Sequence, residues 1–181
     1  MALLAEELVE EWLNRQGYFT IRGIKLGVNE MDLLALRTSA QGLERRHIEV
    51  QASVNPVAYI TQVPKDVQLR SGRAPGSAKV RDDVELRAAV HEWIQKKFDH
   101  PRKAALRLRL AAGPWSRELI VHKVKHLREL ELLTEAGVQV RQLSQVVSEL
   151  KHQRFELEGA SGTHLVDLVA MADSFSEPKN G

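Results

Sequence analysis

Two apolar runs joined by a turn-like segment occupy residues 29–53 of this 181-residue chain. The first run, LLAL, follows Asp32, and the second, IEVQ, begins at Ile48. The segment between them contains Gly42. Short apolar runs separated by a turn are typical of a β-hairpin, so the pattern predicts two antiparallel strands here.

The hairpin places acidic and amide side chains on one face. Glu49 and Gln51 alternate with apolar residues in the second run, so on a strand they point the same way. If Asp32 lies at the end of the neighbouring strand, its carboxylate is close to Glu49, which is unfavourable unless a cation lies between them. Hard oxygen ligands suit Mg²⁺ or Mn²⁺. We therefore predict a metal site held by Asp32 and Glu49.

Composition narrows the function classes. The formal net charge is only +2, with a pI near 9.0, so any affinity for nucleic acid must come from local basic clusters. The chain has no cysteine, which excludes disulfides, cysteine zinc sites and thiol nucleophiles and fits a reducing cytoplasm. Its start, MALLAEELVEEWL, lacks the basic region of a signal peptide and a membrane-length apolar run. We expect a cytoplasmic protein with no membrane segment.

The remaining periodicities predict an α/β fold in a single domain over residues 1–175, with a flexible tail at 176–181. Residues 101–111 fit a helix begun by Pro101, although the alternation of their leucines also fits a strand, and we favour the helix. A late strand-helix-strand unit implies a parallel pair joined by a right-handed crossover. Helices are expected at 2–16, 82–98, 101–111, 127–136, 143–153 and 163–172, and strands at 18–26, 32–36, 48–51, 118–124 and 138–140.

A passage rich in proline, glycine and basic residues, at about 54–80, is predicted to be an irregular insertion. It fits equally a disordered surface loop and a basic flap over a polyanion. A second basic cluster follows at 96–109 and is either a solvated helix face or a surface that contacts phosphates. The candidate nucleic-acid-binding residues from both regions are Lys65, Arg70, Arg73, Lys79, Arg102 and Lys103.

The order of these motifs resembles the PD-(D/E)XK, or restriction-endonuclease-like, nuclease superfamily. The matching residues are a first helix with Glu6, a Gly17-Tyr18 turn, the run EMDLLA around Asp32, and IEVQ around Glu49. Within the superfamily, AEELVEEWLNRQGY and NEMDLLAL are similar to small Holliday-junction-resolvase-like endonucleases. The resemblance covers about the first third of the chain.

The resemblance implies an α-β-β-β-α-β core, with a central mixed sheet flanked by helices, that hydrolyses DNA phosphodiesters with Mg²⁺ or Mn²⁺. In the superfamily pattern Asp32 and Glu49 hold the metal. Glu6, or Glu7 if the register shifts by one, helps to position metal-bound water, and Glu30 shares a strand face with Asp32. The implied partner is DNA, either branched or foreign. Whether two copies of the chain form a homodimer is left open.

One position departs from the superfamily pattern. The usual lysine, two residues after the second acid, is Gln51 here. A lysine stabilises developing phosphate charge or polarises water, whereas glutamine is neutral and forms only hydrogen bonds. Some active members carry glutamine at this position, and a lysine from elsewhere, such as Lys25 or Lys65, could replace it in space.

Two hypotheses follow. The first is a metal-dependent endonuclease with Glu6, Asp32, Glu49 and Gln51 as its catalytic residues. The second is a nuclease-fold module without catalysis that binds nucleic acid or a protein partner. Neither a glycine-rich phosphate loop nor a zinc-type histidine pair supports another class.

Overall fold

The structure, a computed structural model, describes residues 2–152 and 163–174. Its five strands form one sheet in the order β1-β2-β3-β4-β5, antiparallel from β1 to β3 and parallel from β3 to β5. The predicted α/β class, with a central mixed sheet flanked by helices, is confirmed. The elements are α1 (Ala2–Arg15), β1 (Phe19–Leu26), β2 (Asn29–Ser39), β3 (Gly42–Gln51), α2 (Lys65–Ser71), α3 (Asp83–Lys97), α4 (Pro101–Leu110), β4 (Ser116–Val121), α5 (Arg128–Glu135), β5 (Gln139–Gln142), α6 (Leu143–His152) and α7 (Thr163–Ser174).

The predicted hairpin is formed by β2 and β3. Ser39 lies opposite Gly42 at the turn, and the pairing extends to Leu33 opposite Ile48. Leu33 and Ile48 belong to one hydrophobic cluster, so the apolar side of the hairpin faces the core. Because side chains alternate along a strand, the residues between these apolar ones point to the opposite face of the sheet.

Helices pack on both faces of the sheet. One cluster joins Val9 of α1 to Ile48 and Ile120, and another joins Phe98, next to α3, to Leu119. Because Leu119 and Ile120 are neighbours on β4, they point to opposite faces, and so the two clusters lie on opposite sides of the sheet. The helices α1 and α6 cover one side, and α3 and α5 cover the other.

Local signals account for several helix ends. The chain leaves α1 at Gly17, whose φ of 79° is readily adopted by glycine. The Asp82 side chain caps α3 by accepting a hydrogen bond from the backbone N–H of Glu85 at 2.8 Å. Pro101 begins α4, where its missing N–H breaks no helical hydrogen bond, and the helical interpretation of this segment is confirmed.

The passage at 54–80 is more ordered than predicted. Residues 65–71 form α2, so the prediction of an irregular passage is wrong there. The buried carboxylate of Glu129 accepts hydrogen bonds from the backbone N–H groups of Ile60, at 2.7 Å, and Thr61, at 2.9 Å. Arg81, only 5% exposed, donates to the Thr61 carbonyl oxygen at 3.1 Å. Two buried charges therefore hold this part of the passage against the rest of the fold.

The predicted tail at 176–181 lies outside the described residues. Within the ranges that are described, none of the helices combines the length and apolar character that crossing a bilayer requires.

Replacing Glu129 with alanine should destabilise the protein by about 3 kcal/mol, because buried N–H groups in residues 60–61 would lose their acceptor. Urea unfolding would measure the loss. Glu131→Ala, on the same helix but exposed, is the matched control and should change stability by less than about 0.5 kcal/mol. Equal losses in the two variants would contradict an anchoring role for Glu129.

Candidate functional site

The site begins where β2 and β3 separate. Their pairing ends at Leu33 and Ile48, and Asp32 is the next residue along β2. Instead of a backbone carbonyl, the Asp32 Oδ2 atom accepts the N–H of Val50 at 2.8 Å. Leu34 lies opposite His47, so Asp32, two residues before Leu34, is on the same face of the sheet as His47.

Glu49 lies on this face and is only 1% exposed. Its Oε2 atom contacts Lys97 Nζ at 2.5 Å, and its Oε1 atom contacts Lys103 Nζ at 3.3 Å. His47 Nε2 lies 3.2 Å from the same Oε1 atom. The carboxylate is therefore surrounded by hydrogen-bond donors from β3, α3 and α4. An unpaired carboxylate at this depth would be strongly unfavourable.

The turn between α3 and α4 positions both lysines. Lys97 is the last residue of α3, and Lys103 is in the first turn of α4. Lys103 Nζ also donates to the backbone carbonyl of Lys97 at 2.8 Å, so one buried ammonium group links the two helices to each other and to β3.

His47 supports Glu49 as a neutral side chain. Burial lowers the pKa of His47, and this outweighs the opposing effect of Glu49. Arg107 lies 2.9 Å from His47 Nδ1, and because a guanidinium only donates, Nδ1 accepts. The proton of the neutral ring is then on Nε2, from which it is donated to Glu49.

The two carboxylates differ in their proton affinity. Burial, followed by the negative charge of Glu49, raises the pKa of Asp32 to about 7. Burial also acts to raise the pKa of Glu49, but the hydrogen bond from His47 and the charges of Lys97 and Lys103 outweigh it. The pKa of Glu49 therefore lies below its ordinary value. At neutral pH, Glu49 is ionised and Asp32 is close to half-protonated.

Glu6 lies near enough to interact with this site through its charge. Burial raises the pKa of Glu6, Arg22 lowers it, and the charges of Glu30 and Glu49 raise it further. Glu7 forms an ion pair with Arg22 at 3.3 Å. Glu6 is thus coupled through its charge to Glu49, one of the predicted metal ligands. Its role stays a prediction.

Gln51 ends β3 and lines a cleft together with Lys97. The position of the superfamily lysine thus borders the same space as a lysine from α3. Of the lysines considered as a replacement from the sequence, Lys25 lies exposed on β1, and Lys65 begins α2. Neither is an ion-pair partner of Glu49.

One of the predicted nucleic-acid-binding residues is buried. Lys103 is 1% exposed and bound to Glu49, so its ammonium group cannot reach a phosphate on the surface, and this prediction is wrong. Lys103 and Arg107 are four residues apart and so share a face of α4, but this spacing does not show what that face covers.

The other five predicted nucleic-acid-binding residues differ in their surroundings. Arg73 pairs with Glu85 at 2.7 Å, and both side chains are largely covered. Arg70 is exposed and pairs with Asp66. The remaining three residues are exposed, namely Lys65, Lys79 and Arg102.

The site offers few protein ligands to a metal ion. In the described parts of the chain, no group of three or more His, Cys, Asp or Glu side chains could hold a metal ion. The predicted pair, Asp32 and Glu49, supplies two carboxylates. Mg²⁺ is commonly held by one or two carboxylates with water and substrate phosphate, so the pair supplies enough carboxylates. Both Glu49 oxygens already contact ammonium groups, which a metal would have to displace or share.

No family model and no curated protein matches the chain. Among solved structures, the crystal structure of AF1548, a protein of unknown function, aligns with 97% of this chain and 98% of its own. The sequence identity is 10% and the TM-score is 0.47. At this level of similarity, no function is transferred from AF1548.

The raised pKa of Asp32 predicts a pH-dependent stability. The ordinary pKa is 3.8 and the folded value is about 7, so the folded chain binds this proton more tightly. The stability contributed by Asp32 is therefore complete below about pH 4 and is lost as the pH rises through about 7. Asp32→Asn keeps an acceptor for Val50 but does not ionise. It should gain roughly 4 kcal/mol relative to wild type between pH 4 and 8.

Urea unfolding of both proteins across this pH range would measure the gain. Asp66→Asn, at an exposed carboxylate, is the control and should follow wild type at every pH. A wild-type stability that increases with pH relative to the Asp32 variant would refute the assignment.

Proposed function

We propose that the protein hydrolyses DNA phosphodiester bonds with a divalent metal, as its resemblance to restriction-endonuclease-like nucleases implies. The observation that carries the proposal is the position of Asp32 beside Glu49 on one face of the hairpin, with Lys97 against Glu49. Two carboxylates and an ammonium group at the end of a strand pair are the groups that this chemistry uses.

The environment of Asp32 supports a cation there. Its raised pKa reflects burial and the negative charge of Glu49, and a divalent ion would offset both effects. Asp32 and Glu49 would hold Mg²⁺ or Mn²⁺, which when bound supplies Lewis-acid stabilisation and a water of lowered pKa. Glu6, coupled to the site through its charge, would orient that water.

Lys97 would supply the positive charge that Gln51 cannot. Its ammonium group contacts Glu49 and also lines the cleft, so it borders a space that a phosphate could enter. The charges of Glu49 and Asp32 raise the pKa of Lys97 despite its burial, which keeps the group protonated. A protonated lysine there would stabilise negative charge developing on the phosphate.

The second candidate is a nuclease-fold module that binds nucleic acid or a protein without cleaving it. The observation that favours it is that both oxygens of Glu49 already have cationic partners, Lys97 and Lys103. A metal would have to displace or share these contacts. For the nuclease we propose DNA as the partner. For both candidates we propose the cytoplasm as the compartment, where a chain without cysteine is well suited.

Purified protein should cleave supercoiled or branched DNA when Mg²⁺ or Mn²⁺ is added, and Asp32→Asn should not. The variant removes a charged ligand while keeping the hydrogen bond to Val50, so lost cleavage would not reflect unfolding. Gel analysis of the DNA, with thermal unfolding of both proteins, would measure both effects. Cleavage that persists in the variant would indicate a contaminant or a different site.

If Lys97 supplies the positive charge, a lysine introduced at residue 51 should compensate for its loss. Lys97→Met should lower the cleavage rate by about 100-fold or more, because one charge that stabilises the transition state is lost. Adding Gln51→Lys should restore part of the rate, since residue 51 borders the same cleft. Single-turnover cleavage would measure both effects, and Gln51→Met in the same background is the matched control. A double variant with lysine that is no faster than this control would exclude the proposed role.

A further inference from the structure

A cleft of about 830 Å³ lies beside the Asp32–Glu49 site. Its walls come from the end of β3, residues 60–65, α3 and the turn before α4. It adjoins the carboxylates through Lys97, which lines the cleft and contacts Glu49. This volume is typical of a site that encloses a small ligand or a few linked units of a polymer.

The cleft carries more positive than negative charge. Lys65 and Lys96 line it, both are exposed, and across residues 2–152 and 163–174 neither has an ion-pair partner. Two acidic residues also line the cleft, and they offset its positive charge only in part. Glu92 accepts the backbone N–H of Lys65 at 3.2 Å, and Asp99 pairs with Arg117 at 2.8 Å. The cleft therefore favours an anionic ligand.

An aromatic ring and several amides complete the lining. Trp93 is half-buried, and its ring meets Phe98 edge-on, with centroids 5.6 Å apart, which restrains its orientation. Aromatic rings beside cationic grooves are where unpaired bases stack. The amides of Gln51, Gln62 and Gln95 add donors and acceptors suited to base edges.

We propose that this cleft binds a single-stranded nucleic acid, with its phosphates on Lys65 and Lys96 and a base on Trp93. Duplex binding normally uses a much larger surface than this cleft offers. A strand held here would run towards Lys97 and the carboxylates. The inference names single-stranded nucleic acid as the substrate class. It rests on the proposed function for the statement that the bound strand is cleaved.

The test measures binding without catalysis. Fluorescein-labelled oligothymidine is titrated with the full chain in EDTA and followed by fluorescence anisotropy. Lys65→Glu with Lys96→Glu should weaken binding by about tenfold or more. The slope of log K against log salt should become less steep by about 1.4, since each phosphate contact on a single strand contributes about 0.7.

The matched control carries Lys123→Glu and Lys125→Glu, the same charge change at exposed positions outside the cleft lining. It should bind within about twofold of wild type. Equal weakening in both double variants would overturn the assignment, as would undetectable binding by wild type or equal affinity for a duplex of the same length.

A second readout follows Trp93 itself. Binding of oligothymidine should quench the tryptophan fluorescence of wild type, and Trp93→Phe should lose most of this quenching while still binding. Quenching that survives in the variant would place the base elsewhere. If the protein binds oligothymidine as expected but shows no metal-dependent cleavage, the nuclease proposal alone is refuted. If the protein cleaves DNA but the Lys65 and Lys96 substitutions leave oligothymidine binding unchanged, the cleft assignment alone is refuted.

Discussion

A buried carboxylate, Glu49, requires positive charge around it, and this requirement joins three parts of the fold. An ionised carboxylate that is 1% exposed is tolerated only when it is paired and hydrogen-bonded. Lys97 comes from α3, Lys103 from α4 and His47 from β3 itself. The arrangement thus fixes where the α3–α4 turn lies over the central strand, in addition to neutralising one charge.

The same arrangement makes the two acids unequal. Glu49 receives the nearby donors and stays ionised, whereas Asp32 has one backbone N–H and meets the charge of its neighbour. Neighbouring carboxylates whose pKa values are moved in opposite directions are typical of catalytic sites, although structural ion pairs produce such shifts too. Near neutral pH Asp32 is therefore close to half-protonated, while Glu49 is ionised.

The sequence predicted the parts of the site that depend on neighbours along the chain. Alternation in β3 and the hairpin turn place Asp32 and Glu49 on one face, since a strand repeat of two residues leaves little freedom in register. The partners of Glu49 follow no such rule. Lys97 and Lys103 are 48 and 54 residues away, and periodicity shows which residues share a helix face but not which strand that face covers. Glu129 was missed for the same reason, because its partners lie 68 and 69 residues away.

This difference matters for Gln51. A lysine two residues after Glu49 would be held beside it by the strand alone, whatever the helices did. Here the nearby ammonium group, on Lys97, is in place only when α3 ends where it does, and Lys103 secures that end by donating to the Lys97 carbonyl. A positive charge supplied through tertiary packing makes the site depend on the α3–α4 turn. Substitutions in that turn would therefore alter the site without touching either acid.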